Sequence, residues 1–475
     1  MPTLPLPFTS LNKSVDKTTT TVFNQNQRDG YWQNYQSPDG PRMIWRKRPG
    51  FELFKNLSEN SQIDGLHYWK RQNYTYASCN GKMYKLESDA TTTDVTGTAS
   101  MVKNVRPSFT DIAGTNLYAA SSGKIAEYPA ASTGAFISDG DAPTLVRFIA
   151  VNNQILIALR DSSSRFDWSQ TGDPTSWDGE FANAEASPDI TQSFKVANSY
   201  LYFPGSESIE IWRDNGVNFV REEQGAIQRG CIASYSFTEI QGAFFWLDDN
   251  REVSVLDGLS ISVISNPDLT TYLRSFNSVA DALGNYLKVC GKHFYILSFP
   301  TEEKTLVYDI SLKQWYEWGY YNQTTAEYER WLGNDVVHAS DWNKVLAGDR
   351  RSGVIYSISE TATTDNGDPI RTVLRTDFID RGRPESYKRC HELTLIFKRA
   401  DTNTTPKSMQ IRWRDEGKTD WNNGRTVKIQ EQGRTELRVN IRRLSSYRRR
   451  QWEFIMQDET VSDLLSAEER FDFGR

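Results

Sequence analysis

No stretch of the 475 residues approaches the ~20 consecutive apolar residues that a membrane-spanning helix needs. The first 25 residues lack the basic start, apolar centre and small-residue cleavage site of a secretory leader, so synthesis and residence in a cytoplasm are expected, without membrane insertion. There are four cysteines, Cys79, Cys231, Cys290 and Cys390, and they lie far apart. That spacing excludes zinc ribbons and redox pairs and predicts reduced, mostly buried thiols. The four histidines, His67, His293, His338 and His391, are as scattered, and no HExxH motif or nucleophile elbow is present. Also missing are a GxxxxGK[ST] loop, a strand followed by GxGxxG, and an EF-hand loop. No cofactor or metal is therefore expected.

Charge is distributed unevenly. The chain carries a formal charge of -6, but the first 365 residues hold an excess of Asp and Glu, and the remainder an excess of Lys and Arg. A large acidic body argues against a general DNA binder, whose affinity comes from many contacts between basic side chains and phosphates. The basic remainder suits docking.

What is abundant is β-forming sequence punctuated by turns, with aromatic residues at 12% of the chain. A short strand, a turn rich in Gly, Asn, Asp or Ser, and a second strand recur from Asn80, Asn116, Asn153, Tyr200, Ala243, His293 and Lys344. Hairpins repeating every 35 to 50 residues or so signal propeller blades, six or seven of them. Strands such as Phe244-Phe245-Trp246 are apolar at successive positions, as expected where both faces of a blade are covered by neighbours. Asn266-Pro267-Asp268 predicts a short helix between blades, with Asn as cap and Pro in the first turn.

The expected class is all-β: an extended arm over residues 1–42, a β-propeller over 43–360, and a β-sandwich over 367–475. The turn-rich run Thr361–Asp368 marks the last boundary, and longer strands with Arg-rich polar faces follow it.

Two clusters merit weighing as sites. Asp161, Asp167 and Asp178 lie within eighteen residues, and a glycosidase needs two carboxyl groups facing each other across a sugar. A sialidase-like or carbohydrate-binding propeller is thus the rival reading. The stretch between them, Ser169 to Trp177, is similar to an Asp-box turn but has Gly and Asp out of order and occurs once; ordinary turn chemistry accounts for it. The basic run Arg442, Arg443, Arg448, Arg449 and Arg450, with Tyr447 and Trp452, reads as a docking surface for an acidic partner or phosphate, or else as a solvated turn.

Trp45-Arg-Lys-Arg-Pro-Gly-Phe51, Asn80-Gly-Lys-Met-Tyr-Lys-Leu86, Ser206-Glu-Ser-Ile-Glu-Ile-Trp212 and Leu306-Val-Tyr-Asp309 with Trp315-Tyr-Glu-Trp318 give the chain a wider likeness. In these residues it resembles the packaged-DNA stabilisation proteins, the tail accessory or nozzle proteins of short-tailed bacteriophages. Tyr447-Arg-Arg-Arg-Gln-Trp452 is similar to their platform domain. The resemblance implies a non-enzymatic virion protein at the portal vertex, assembled in the host cytoplasm as a ring of six. It implies contacts with a portal adaptor, with a tail needle or tip and with fibre or spike proteins, and double-stranded DNA passing without specific binding.

Overall fold

The computed structural model describes residues 2–8, 27–37, 40–112, 116–185, 189–398, 408–429, 436–457 and 463–474. Among the described residues seven four-stranded antiparallel units follow one another, five as separate sheets and the last two as parts of larger ones. Their first strands are Ile63–Trp69, Ser108–Ile112, Val146–Asn152, Lys195–Ala197, Thr238–Ile240, Leu283–Val289 and Gly333–Ala339. We number the sheets blades 1 to 7 in that order.

Seven apolar clusters join each blade to the next, and the last joins blade 7 to blade 1 through Leu346, Ile355, Ile63 and Ala77. The blades therefore close into a ring. Successive residues of one strand serve opposite neighbours. Phe244 packs with Tyr202 of blade 4, while Phe245 packs with Tyr295 of blade 6. This is why the strand shows no polar alternation.

Two-residue turns with both residues at positive φ join the first and second strands of blades 5 and 6, at Gln241-Gly242 and Cys290-Gly291, and the second and third strands of blade 1, at Asn80-Gly81. That is the geometry whose twist matches the flanking strands, and it is why Gly recurs there. The expected helix is present at Pro267–Arg274 between blades 5 and 6, with the Asn266 side chain accepting from the Leu269 amide.

Blade 7 is completed from the other end of the chain. Gly50–Asn56 pairs antiparallel with Val354–Ser359, with Gly50 opposite Ser359, and so supplies its outer strand. The propeller begins at Gly50 and not at Met43. Met43–Lys47 belongs instead to the strand Gly40–Lys47, which pairs with Gly30–Ser37.

The expected extended arm over 1–42 is thus largely paired strand among the described residues; residues 9–26 lie outside them. Tyr31 and Trp45, both fully buried, carry this hairpin into a core that their polar neighbours conceal in the sequence.

Two further sheets take up the remainder. One has the order Gly30–Ser37, Gly40–Lys47, Asp463–Phe473, Lys388–Lys398, Glu436–Arg442. The other runs Gln27–Arg28, Thr372–Arg375, Arg450–Met456, Ser408–Asp415, Arg425–Lys428, and is continuous with blade 6 through the pairing of Arg28 with Glu317. Their core is not separate. Leu393, Met409, Trp452 and Leu464 share one cluster with Phe51, Phe294, Val307 and Tyr356 of the propeller. The expectation of a self-contained sandwich over 367–475 is corrected accordingly: both sheets need N-terminal strands and pack on blades 6 and 7.

The boundary loop is corrected too, since Asp365 is buried and pairs with Phe51. Of the four thiols, Cys79, Cys231 and Cys390 are buried and Cys290 is partly so; all are free.

Candidate functional site

The basic run divides into two groups. Arg450 is fully buried. Its Nε donates to Asp415 at 2.7 Å and its Nη2 to Ser445 Oγ at 2.9 Å, while its Nη1 donates to the Leu444 carbonyl. The guanidinium lies 4.4 Å from the Tyr447 ring centre and 5.2 Å from that of Trp452. Tyr447 donates to Glu469 at 2.7 Å, and burial beside that carboxylate raises its hydroxyl pKa. Trp452 is fully buried against Trp413. These three residues, expected at a docking surface, form internal packing.

The Arg-rich polar face expected of the strands after the boundary is absent from Arg450–Met456, all seven of whose residues are buried. The strand is central in its sheet, flanked by Thr372–Arg375 and Ser408–Asp415.

The other members reach solvent. Arg442 is 71% exposed and 3.3 Å from Glu392. Arg443 sits at φ 63, and the Arg425 guanidinium donates to both the Arg442 and Arg443 carbonyls. Arg448 lies over the Tyr387 ring at 4.8 Å, and the half-buried Arg449 at 5.7 Å from Phe378. On the neighbouring sheet Arg375, Arg412 and Arg414 all lie within 6 Å of the Trp421 ring centre, at 5.4, 5.7 and 5.0 Å. The sequence hid that cluster because its members come from three separate segments.

The carboxylates of the rival reading do not converge. Asp167 is buried, bridged by Arg160 at 2.7 Å and Arg165 at 2.7 Å. Asp178 accepts from Gln170 at 2.8 Å in a 310 Å³ cavity beside Trp168, Glu180 and Asp214. In that cavity Glu180 already accepts from Trp168 and Asp214 from Asn153. Asp161 lines a different cavity, 3.8 Å from Arg147.

That different cavity belongs to the propeller axis. Connections into the inner strands of several blades converge there, and Arg106 divides the space in two. From the link between blades 1 and 2 it reaches Gly284 O at 3.1 Å and Asn285 Oδ1 at 2.7 Å in blade 6, and also donates to Asp335 in blade 7. On one side lies a cavity of about 380 Å³ lined by His67, Lys195, Glu239 and Tyr286. Burial there lowers the His67 pKa to about 4, leaving it neutral at pH 7. On the other side is a cavity of about 470 Å³ lined by Asp64, Arg147, Asp161, Asp281, Arg330 and Asn334.

A third cluster ties the propeller to the two outer sheets. Arg48, 1% exposed, donates to Asp29 at 2.7 Å and to Asp365 at 2.6 Å, and Arg28 pairs with Glu317. Burial raises the Asp29 pKa to about 6 against the pull of Arg48.

No curated protein matches the chain. Among solved structures, virginiamycin B lyase from Staphylococcus aureus is 8% identical with a TM-score of 0.45, covering 65% of this chain and 98% of that one. The Pan2 WD40 domain of Neurospora crassa is 8% identical with a TM-score of 0.42, covering 70% and 96%. The extracellular domain of a one-component system from B. thetaiotaomicron is 11% identical with a TM-score of 0.44, covering 86% and 62%. A family model described as Phage_stabilise, Bacteriophage P22 Gp10, beta-propeller, matches residues 34–363. That span runs from within the first hairpin, through the strand that closes blade 7, to the end of the ring. On that match the chain belongs to the phage DNA-stabilisation family of P22 Gp10 β-propeller proteins.

Proposed function

We propose that the chain is a wall subunit of the tail nozzle of a short-tailed phage. Six copies form a ring beneath the portal and its adaptor, and tip and fibre or spike proteins attach to that ring. Duplex DNA is retained by this ring and later leaves through it. The subunit is assembled in the host cytoplasm, becomes part of the virion tail and turns over no substrate.

The observation that carries this reading, beside the family, is the closed axis. A cavity of 380 Å³ is roughly 7 Å on a side, narrower than even the ~12 Å major groove of the duplex it would have to pass. Arg106 blocks the way beyond it. A conduit must then form between copies, with each propeller acting as a solid block. The acidic excess of the first 365 residues suits a wall that does not bind phosphate. Retention then rests on a gate and not on affinity.

The test is an image of the purified assembly joined to a duplex-binding titration. A sixfold ring with an axial hole and negligible binding at 150 mM salt is expected. A monomer, or tight binding that falls steeply with salt, would overturn the reading, since 6 to 10 phosphate contacts change affinity by roughly 10³ to 10⁵ between 50 and 200 mM salt.

A further inference from the structure

We infer that the outer cavity of the propeller axis is a binding site for an acidic monosaccharide, a small anion that also carries hydroxyl groups. The inference is independent of the nozzle reading, because it concerns a site inside one subunit. The cavity, about 470 Å³, lies within the range of pockets that hold small molecules. Its wall is convergent: Gln62 and Asp64 come from the start of blade 1, Arg147 from blade 3, Asp281 from the approach to blade 6, Arg330 from the approach to blade 7 and Asn334 from its first strand.

Three of these side chains carry polar atoms that the protein leaves unmatched. Arg330 is 5% exposed. Its Nη1 donates to Asn334 at 3.3 Å, but its Nε donates to nothing. Glu303 is 4.0 Å from that Nε and is held more closely by Arg350 at 3.1 Å. Arg350 also takes Glu329 at 2.6 Å, so of the two guanidiniums Arg330 is the one whose carboxylate partner is the more distant. Burial and the neighbouring Arg350 lower its pKa to about 10, against the weaker opposite pull of Glu303, Asp281 and Asp349.

The other two atoms are acceptors. Asp64, 1% exposed, accepts from Gln62 at 3.1 Å through Oδ1 and is also drawn on by the Asn104 amide, while its Oδ2 has no partner at hydrogen-bond distance. Asp281 accepts from the amide and hydroxyl of Thr301 through Oδ2 and has Oδ1 free. Buried polar groups are normally matched.

The combination defines the ligand. An inorganic anion would answer Arg330 and leave both carboxylates facing more negative charge. A neutral sugar would answer Asp64 and Asp281 and leave the guanidinium as it is. Only a molecule with an acid group at one end and hydroxyl donors at the other answers all three. A hexuronic acid and a hexose phosphate share that chemistry.

The experiment titrates the full-length protein with glucuronate, glucose 6-phosphate, methyl glucoside and inorganic phosphate, read by calorimetry and thermal shift. Saturable binding of glucuronate or glucose 6-phosphate is expected, and whichever is tighter identifies the acid group. Methyl glucoside and phosphate should bind at least about tenfold more weakly. Arg330→Gln should lose binding by a similar factor. Asp281→Asn, at a partly exposed position, should weaken it while remaining folded, and it keeps the test decisive if Arg330→Gln does not fold. Absence of binding by both acidic sugars would overturn the inference and leave the cavity to hydration. So would equal binding of inorganic phosphate, or variants that bind as the parent does.

Discussion

Replacing Arg48 with Met should destabilise the protein strongly, and more so at pH 8 than at pH 5.5. The side chain is 1% exposed and is the shared partner of Asp29 and Asp365, two carboxylates that are themselves 1% and 2% exposed. Removing one partner of a buried ion pair costs about 3–5 kcal/mol, because the remaining charge stays desolvated.

The pH dependence follows from Asp29, whose pKa is raised from 3.8 to about 6 even with Arg48 present. A carboxyl raised on folding favours the native state most below its unfolded pKa, and that contribution is lost as pH rises through the folded one. In the parent the loss spans pH 4 to 6 and amounts to about 3 kcal/mol, at ~1.4 kcal/mol per unit. Without the guanidinium the folded pKa moves higher still, so the window extends above pH 6. Asp29 is then largely protonated at pH 5.5 and ionised without a partner at pH 8. Urea midpoints of parent and variant at the two pH values measure this directly. The reasoning is refuted if the variant loses the same stability at both, or less than about 1 kcal/mol at pH 8, the range of an exposed pair.

The basic run should separate into two phenotypes. Arg448→Glu with Arg442→Glu should leave the subunit folded and abolish its attachment to tail-less heads, whereas Arg450→Glu should yield insoluble protein, since it buries a carboxylate against Asp415. Normal attachment of the first variant would reduce the exposed arginines to a solvated surface. Gln241→Asn should stabilise the protein by up to about 1 kcal/mol, because Gln241 holds φ 56 at the first turn position, where Asn is favoured; an unchanged melting temperature would count against that turn assignment. Proteolysis under native conditions should spare Asp365, and a clean cut there would contradict its burial.

Much of the propeller was legible because each blade carries its own local signal, a turn between two runs of β-formers. Asn80-Gly81 and Phe244-Phe245-Trp246 state turn and burial within a few residues. The outer sheets were legible only in part, because their order is set by pairs such as Trp45 with Leu464 and Arg28 with Glu317, more than 280 positions apart. Polar residues hid the hairpin at Gly30–Lys47, although Tyr31 and Trp45 in it are fully buried.

Charge misled at Arg450, since a strand of mixed polar composition reads as half-solvated when the partners that neutralise it lie elsewhere in the chain. Arg330, Asp64 and Asp281 gave no signal at all. Each is unremarkable in its own segment, and only closure of the ring sets them around one cavity.

The strand that closes blade 7 also sets a schedule for synthesis. Gly50–Asn56 leaves the ribosome early, but its partner Val354–Ser359 follows some 300 residues later. At roughly 5 to 20 residues per second the wait is about 15 to 60 seconds. During it the early strand presents an unpaired edge, and blade 1 lacks the neighbour that covers Ile63 and Ala77. On a polysome, nascent copies in this state lie close together, and the strand of one chain can complete the last blade of another. Exchanged dimers linked through Gly50–Asn56 are therefore the misassembly to look for when expression is fast, and slower translation should reduce their share.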